Sequence, residues 1–237
     1  MKMDLTSMLA SARYAKWTKK ATVGVMIAAG AVGMSACYEG NQNGPVTDSV
    51  GDSITALATN DLNSTLGTDY RVDVQGEPGF TFGQLIPQIQ TMLAHDPTGE
   101  TDDPPQNFVV EGGPNDIFQG TANDPNWRAD LDTIASDLSG MQCVIYVNTS
   151  TLLDAQWPGT GTTAEDINAA LDQVVAANPN SHILDWNSFT NAPGNAAAYL
   201  YQDAPYLGTD IHPNPDGQQQ LANMELAAVQ QDCPAGA

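Results

Sequence analysis

Residues 46–66 read VTDSVGDSITALATNDLNSTL. A short strand over 46–50 runs into Gly51-Asp52-Ser53, and 54–66 reads as a helix. The strand is less apolar than most, so its pairing is expected to be irregular. The same rhythm continues outward. Residues 70–75 alternate Tyr70, Val72 and Val74 against Arg71, Asp73 and Gln75, the period of a strand. A helix follows over 82–94, with Pro87 kinking it or standing in its first turns. Residues 95–106 form an acidic, Pro-containing loop, and 108–111 is a third strand ending in Gly112-Gly113. Trp127, Leu131, Ile134 and Leu138 then lie on one helical stripe. Residues 144–147 (VIYV) are continuously apolar, as in a parallel strand buried on both faces. The helix over 163–178 puts Ile167, Ala170, Leu171, Val174 and Val175 on one face. Thr162 or Thr163 caps it, with Glu165 and Asp166 in its first turn, where the helix dipole favours acids. Residues 182–186 make a fifth strand, and 216–231 a last helix. Five strands alternating with helices specify an α/β fold with a parallel sheet covered on both faces.

The N-terminus has a different character. Five of the seven basic residues (Lys2, Arg13, Lys16, Lys19 and Lys20) precede residue 21. Residues 21–36 are apolar except for Thr22 and Ser35, and are shorter than the ~20 residues a bilayer span needs. A basic start, a short apolar run and small residues at its end read as a secretory signal over 1–36. Met34-Ser35-Ala36-Cys37 resembles a bacterial lipobox. It implies Cys37 as the lipidated first mature residue; plain secretion or a retained anchor are the other readings. Residues 37–45 are then a flexible tether and 46–233 one domain. Every reading puts that domain outside the cytoplasm.

The whole chain of 237 residues carries 28 acidic and seven basic side chains, a net charge of −21. Only Arg71 and Arg128 remain after residue 36, against 27 acids, so the mature charge is −25. Such a surface repels phosphate backbones and excludes nucleic-acid binding. It suits either a generic acidic secreted protein or one adapted to salty water. With Cys37 lipidated, Cys143 and Cys233 form an even pair in an oxidising compartment and read as a disulfide. Cys143 precedes the fourth strand and Cys233 follows the last helix, so both fall at the amino edge of the sheet.

Four loops at strand carboxyl ends, where open α/β sheets build their sites, carry chemistry. Ser53 opens a helix, so its own N–H is placed to stabilise an oxyanion. Gly79, in the turn 76–81, offers an unobstructed backbone N–H. Asn115, in Gly113-Pro114-Asn115-Asp116, offers a neutral amide donor. His212, in Asp210-Ile211-His212-Pro213-Asn214, is one of three histidines and sits in a loop beside Asp and Pro. Each alone is ordinary: Gly-Asp-Ser is a common turn, and Asn115 suits an Asx turn. His95 and His182 read as solvated or structural. Asp96, Glu100, Asp102 and Asp103 lack calcium-loop spacing and read as a solvated loop.

Together the four loops are far more specific. Ser, Gly, Asn and His occur in that chain order, one per loop: GDS at 51–53, the glycine block at 76–81, GxND at 113–116 and HP at 212–213. This resembles the SGNH hydrolases, also called the GDSL esterase/lipase family, over about residues 46–231. The resemblance implies a flavodoxin-like three-layer α/β/α sandwich with a five-stranded parallel sheet. It implies hydrolysis of carboxylic esters with no metal and no organic cofactor. Ser53 is then the nucleophile and His212 the general base. The Ser53 N–H, the Gly79 N–H and the Asn115 amide form the oxyanion hole. The family's Asp-x-x-His pattern is broken here, because Thr209 stands three before His212 and Asp210 two before. Asp210, Thr209 or a backbone carbonyl is left to orient the imidazole, with Asp210 favoured.

The long loops 95–106, 118–126 and 150–162 are polar, with Phe118, Trp127 and Trp157 as scattered aromatics. That favours short, acetyl-type acyl groups on a soluble or cell-envelope glycan, handled by a monomer. A membrane enters only through a lipid anchor. The alternatives are a lipase or an O-acyltransferase of the same fold, or a non-catalytic carbohydrate-binding surface protein.

Overall fold

Five short apolar stretches supply the central layer. In the structure, a computed structural model that describes residues 38–94, 105–117, 126–156, 161–202 and 211–233, they are parallel strands. These are β2 (Val46–Gly51), β3 (Arg71–Gly76), β4 (Asn107–Glu111), β5 (Cys143–Val147) and β6 (Ser181–Leu184). A sixth, β1 (Glu39–Gly40), joins antiparallel at the edge, and the sheet order is β1-β3-β2-β4-β5-β6. Within the segment 37–45, read in sequence as a flexible tether, described residues hydrogen-bond to the edge of the fold. Asn41 N–H donates to the Gly67 and Tyr70 carbonyls, and Arg71 N–H to the Pro45 carbonyl.

Successive side chains of a strand face opposite layers, and two cores result. On one face Val50, Phe108, Val110, Val144 and Tyr146 pack under α2 (Phe82–Leu93), α3 (Trp127–Asp137) and α5 (Ala164–Ala177). Leu153 of the short α4 (Leu152–Gln156) closes that core. On the other face Val72, Val109, Ile145 and Val147 pack under α1 (Ser53–Leu66) and α8 (Pro215–Asp232). Leu62 and Leu66 of α1 are wholly buried; burial of each stabilises by about 1.5–3 kcal/mol.

The polarity of β2 does not disturb its pairing, which runs in regular parallel register with β3 and β4. The buried hydroxyls find partners instead. Thr47 Oγ1 accepts from Asn107 Nδ2 at 3.1 Å, and Ser49 Oγ donates to Glu225 Oε2 at 3.2 Å. The fifth strand expected over 182–186 is shorter at its end. Asp185 is an N-cap whose side chain accepts from Ser188 N–H, so Trp186 opens α6 (Trp186–Asn191) rather than ending a strand. A further short helix, α7 (Asn195–Tyr199), occupies what reads in sequence as loop.

Cys143 and Cys233 meet at the amino edge of the sheet, their Cα atoms 5.3 Å apart and their sulfurs at bonding distance.

Candidate active site

The chain leaves β2 to form β3 on one side, then crosses back to form β4 on the other. The carboxyl ends of β2 and β4 thus flank the switch point where α/β sheets open a crevice. Ser53 follows β2 and Asn115 follows β4.

Asp52 is the N-cap of α1, its side chain accepting from Ile54 N–H at 2.9 Å. Ser53 is therefore not consumed as a cap. Its hydroxyl lies 2.9 Å from His212 Nε2, and the residue is half-buried. His212 is 7% exposed. Its backbone is pinned outside the sheet by a bridge between Leu200 and Pro213, by Tyr201 N–H donating to the His212 carbonyl, and by Asn214 N–H donating to the Tyr199 carbonyl. Asn214 then caps α8, whose first residue is Pro215.

Gly79 has φ +87°, a left-handed conformation that favours glycine. Its turn is anchored at both ends. Glu77 N–H donates to the Gly51 carbonyl at 3.0 Å, and Phe82 N–H donates to the Asp116 carboxylate at 3.1 Å. Asp116 was not singled out in the sequence; it links the Asn115 loop to the start of α2. The third loop begins at Gly113, φ +113°, where a Cβ would come 2.9 Å from both Thr149 Oγ1 and Ile167 Cγ2. Asn115 Nδ2 donates to Asp52 Oδ2 at 2.8 Å.

Beneath Ser53 lies a second carboxyl that sequence reading missed. Glu111, the last residue of β4, is 3% exposed, and its Oε2 accepts from Asp52 N–H at 3.0 Å and Thr55 Oγ1 at 3.1 Å. Burial, then the Asp52 charge, pushes Glu111 well above the usual carboxylate range. Burial also raises Asp52, opposed by the Ile54 N–H, Glu111, His212 and Ser53. The available signal was an acid closing an otherwise apolar strand (NFVVE).

The structure thus brings Ser53, His212 and Asn115 together with the turn that carries Gly79. Asp210 and Thr209 lie outside the described residues, as do Cys37 and the segment 1–36, His95, the acids at 96, 100, 102 and 103, Phe118 and Trp157. His182 is half-buried within β6 and pairs with Ile145. Trp127 packs against the α2–α3–α5 core. Among the described residues no group of three or more His, Cys, Asp or Glu side chains is placed to hold a metal ion.

A hydroxyl bonded to an imidazole at the mouth of a parallel sheet, beside a helix N-terminus, is equipped for acyl transfer through a serine ester. The fold and this pair are those of a hydrolase built on an open α/β/α sandwich. The chain belongs to the GDSL-like Lipase/Acylhydrolase family, whose profile matches residues 48–220, and it is an ester hydrolase of that family. No curated protein matches it in sequence. Among solved structures, a member of the lipolytic protein G-D-S-L family from Veillonella parvula has a TM-score of 0.62 at 18% identity, covering 78% of this chain and 98% of that one. The catalytic domain of peptidoglycan O-acetyltransferase A from Streptococcus pneumoniae has a TM-score of 0.56 at 20% identity, covering 82% and 98%. An acetylxylan esterase from Geobacillus stearothermophilus has a TM-score of 0.53 at 16% identity, covering 81% and 96%. At these identities the likeness is one of fold.

Proposed function

We propose that this chain is an extracytoplasmic serine esterase that removes short, acetyl-type acyl groups, with a glycan ester as substrate. The observation that carries the reading is the 2.9 Å contact between Ser53 Oγ and His212 Nε2. A serine hydroxyl is a weak nucleophile until a base takes its proton. In this reading His212 takes that proton as Ser53 attacks the ester carbonyl. The tetrahedral oxyanion is held by the Ser53 N–H, the Gly79 N–H and the Asn115 amide. His212 then protonates the departing alcohol, water enters, and the same base drives release of the acid. Asp210 orients the imidazole. The steps need no metal and no organic cofactor.

The short-acyl preference rests on the polar composition of the loops at 95–106, 118–126 and 150–162. Two of the fold relatives are by name an acetylxylan esterase and a peptidoglycan O-acetyltransferase. The second relative motivates one rival reading: a sugar hydroxyl outcompetes water at the acyl-enzyme, and the chain is a transferase. Export rests on the signal-like residues 1–36, with Cys37 as the anchored residue and a monomeric domain outside the membrane.

Turnover of p-nitrophenyl acetate against p-nitrophenyl octanoate tests the acyl preference. Acetate preference supports the esterase reading, and octanoate preference replaces it with a lipase. Faster release of p-nitrophenol on adding a glycan acceptor, with acylated glycan as product, supports the transferase. No turnover and no covalent labelling of Ser53 by a fluorophosphonate would overturn the enzymatic mechanism.

A further inference from the structure

Two buried acids meet beneath Ser53, Glu111 Oε2 accepting from the Asp52 N–H, and the mechanism above uses neither. We propose that Glu111 and Asp52 form a proton-sharing carboxyl pair that locks the orientation of the Asn115 amide, making both of them positioning residues for the oxyanion site. The inference rests on the esterase reading for its kinetic consequence; the pair itself rests on the burial of both acids and their shared contacts.

Asp52 is fully buried, and its donors are on the page. Oδ1 accepts from Ile54 N–H at 2.9 Å and from Ser53 Oγ at 3.4 Å; Oδ2 accepts from Asn115 Nδ2 at 2.8 Å. Glu111, itself 3% exposed, reaches the same residue through its Oε2, which accepts from the Asp52 N–H at 3.0 Å. Glu111 Oε2 receives Asp52 N–H, Thr55 Oγ1 and, at 3.4 Å, Thr55 N–H. Two ionised carboxylates buried on adjoining segments repel strongly, so the pair holds one proton. It resides on Glu111, because Asp52 accepts from the Ile54 N–H and the Asn115 amide, which favour its ionised form. With Oε2 already receiving three donors, Oε1 is the oxygen that carries the proton.

Gly51 reports the same requirement. A Cβ there would come 2.6 Å from Glu111 Oε2 and 2.1 Å from Thr55 Oγ1. The Glu111 carboxyl fills the space a side chain at residue 51 would need. That places a structural demand on the first residue of the GDS turn, separate from the chemistry of Ser53.

An ionised Asp52 can only accept. It therefore selects the amide rotamer of Asn115 that turns the NH₂ group inward. One N–H goes to Asp52 and the second is aimed by the same geometry. If residue 52 were an amide, Asn115 could flip and present its oxygen where an oxyanion must bind.

The kinetic test is a double-mutant cycle on p-nitrophenyl acetate. Asp52→Asn is expected to lower kcat by roughly tenfold to a hundredfold, short of losing the donor outright, with KM nearly unchanged. Asp52→Asn combined with Asn115→Ala is expected to be no slower than Asn115→Ala alone; additive losses would overturn the coupling. Glu111→Gln keeps an acceptor for Asp52 N–H and a donor for the Asp52 carboxylate, and is expected to retain most of kcat. A folded Glu111→Leu is expected to fall to the level of Asp52→Asn, and full rate in it overturns the proposal. The pair itself is read without activity. The infrared difference spectrum of wild type minus Glu111→Gln at neutral pH is expected to show the carbonyl stretch of a protonated carboxyl. Absence of that band overturns the pair. Its presence in a protein that hydrolyses no ester would leave the pair standing and remove the esterase reading.

Discussion

Ser49 Oγ donates to Glu225 Oε2 at 3.2 Å in the centre of the α1–α8 core, where both side chains are fully buried. The contact ties the middle strand to the last helix, whose first residues follow His212. Burial, only partly opposed by Ser49, pushes Glu225 up to about 8, from an ordinary 4.5.

Stability is therefore expected to fall as pH rises. A carboxyl whose folded pKa is raised holds its proton more tightly in the native state, so deprotonation favours unfolding. The loss begins near 4.5 and levels off above about 8. Asp48, opposite Asp73 in the neighbouring strand and pushed up by burial and then by the Asp73 charge, adds a loss of the same sign. Glu225→Gln is expected to flatten the decline between pH 5 and 8, as measured by urea denaturation; an unchanged slope would show that Glu225 is ionised in the fold.

Ser53→Ala is expected to abolish ester hydrolysis without loss of stability, because Asp52, not Ser53, caps α1. Asn115→Ala is expected to lower kcat by roughly 10²–10³, the effect of losing one oxyanion donor. Steady-state kinetics with thermal melts of the same samples separate chemistry from folding. Wild-type turnover in Ser53→Ala would remove the nucleophile assignment.

Asp210→Asn is expected to cost far more kcat than Thr209→Ala. A carboxylate beside the far imidazole nitrogen holds the tautomer that leaves Nε2 free to accept the Ser53 proton, and an amide there can hold the wrong one. Near-full rate in both variants would leave Ser53 and His212 working as a dyad.

Cys143 and Cys233 are expected to resist alkylation in the non-reduced protein. Their bond closes a loop spanning 90 residues of sequence separation. Constraining the unfolded chain to that extent stabilises by about 4–5 kcal/mol in the chain-entropy account, an upper figure. Intact mass after thiol alkylation reads the outcome directly, and two alkylated thiols would exclude the bond.

Salt is expected to raise the melting temperature. Beyond residue 36 the chain has two arginines against 27 acids. Arg71 is buried with its Nε donating to the Gly44 carbonyl, and Arg128 pairs with Asp132 on its own helix. Little positive charge is left to offset repulsion across the surface, which about 1 M salt screens to within ~3 Å. A melting temperature independent of sodium chloride would show that the acids are too far apart to matter.

Much of this protein is legible in one dimension, because the signals are local. Continuous apolar runs such as Val144–Val147 report burial on both faces, and a threonine at 162 or 163 ahead of Glu165 and Asp166 reports a helix start. The four loops could be read from residue type and chain order, since strand ends in a parallel sheet converge on one edge whatever the details of packing. The sequence also marks the −25 charge and the export-like first 36 residues, which require no folding to be seen. What only tertiary structure decided are relationships between positions far apart in the chain. Asp52 rather than Ser53 caps α1, freeing the hydroxyl for His212, 159 residues away. Glu111 lies under Asp52, and Glu225 under Ser49, because β4 and α8 are laid against β2. An acid ending a strand or sitting mid-helix reads as solvated from its neighbours in sequence. Whether it is instead desolvated and made to keep a proton depends on which remote segment covers it, and that is set only when the layers close.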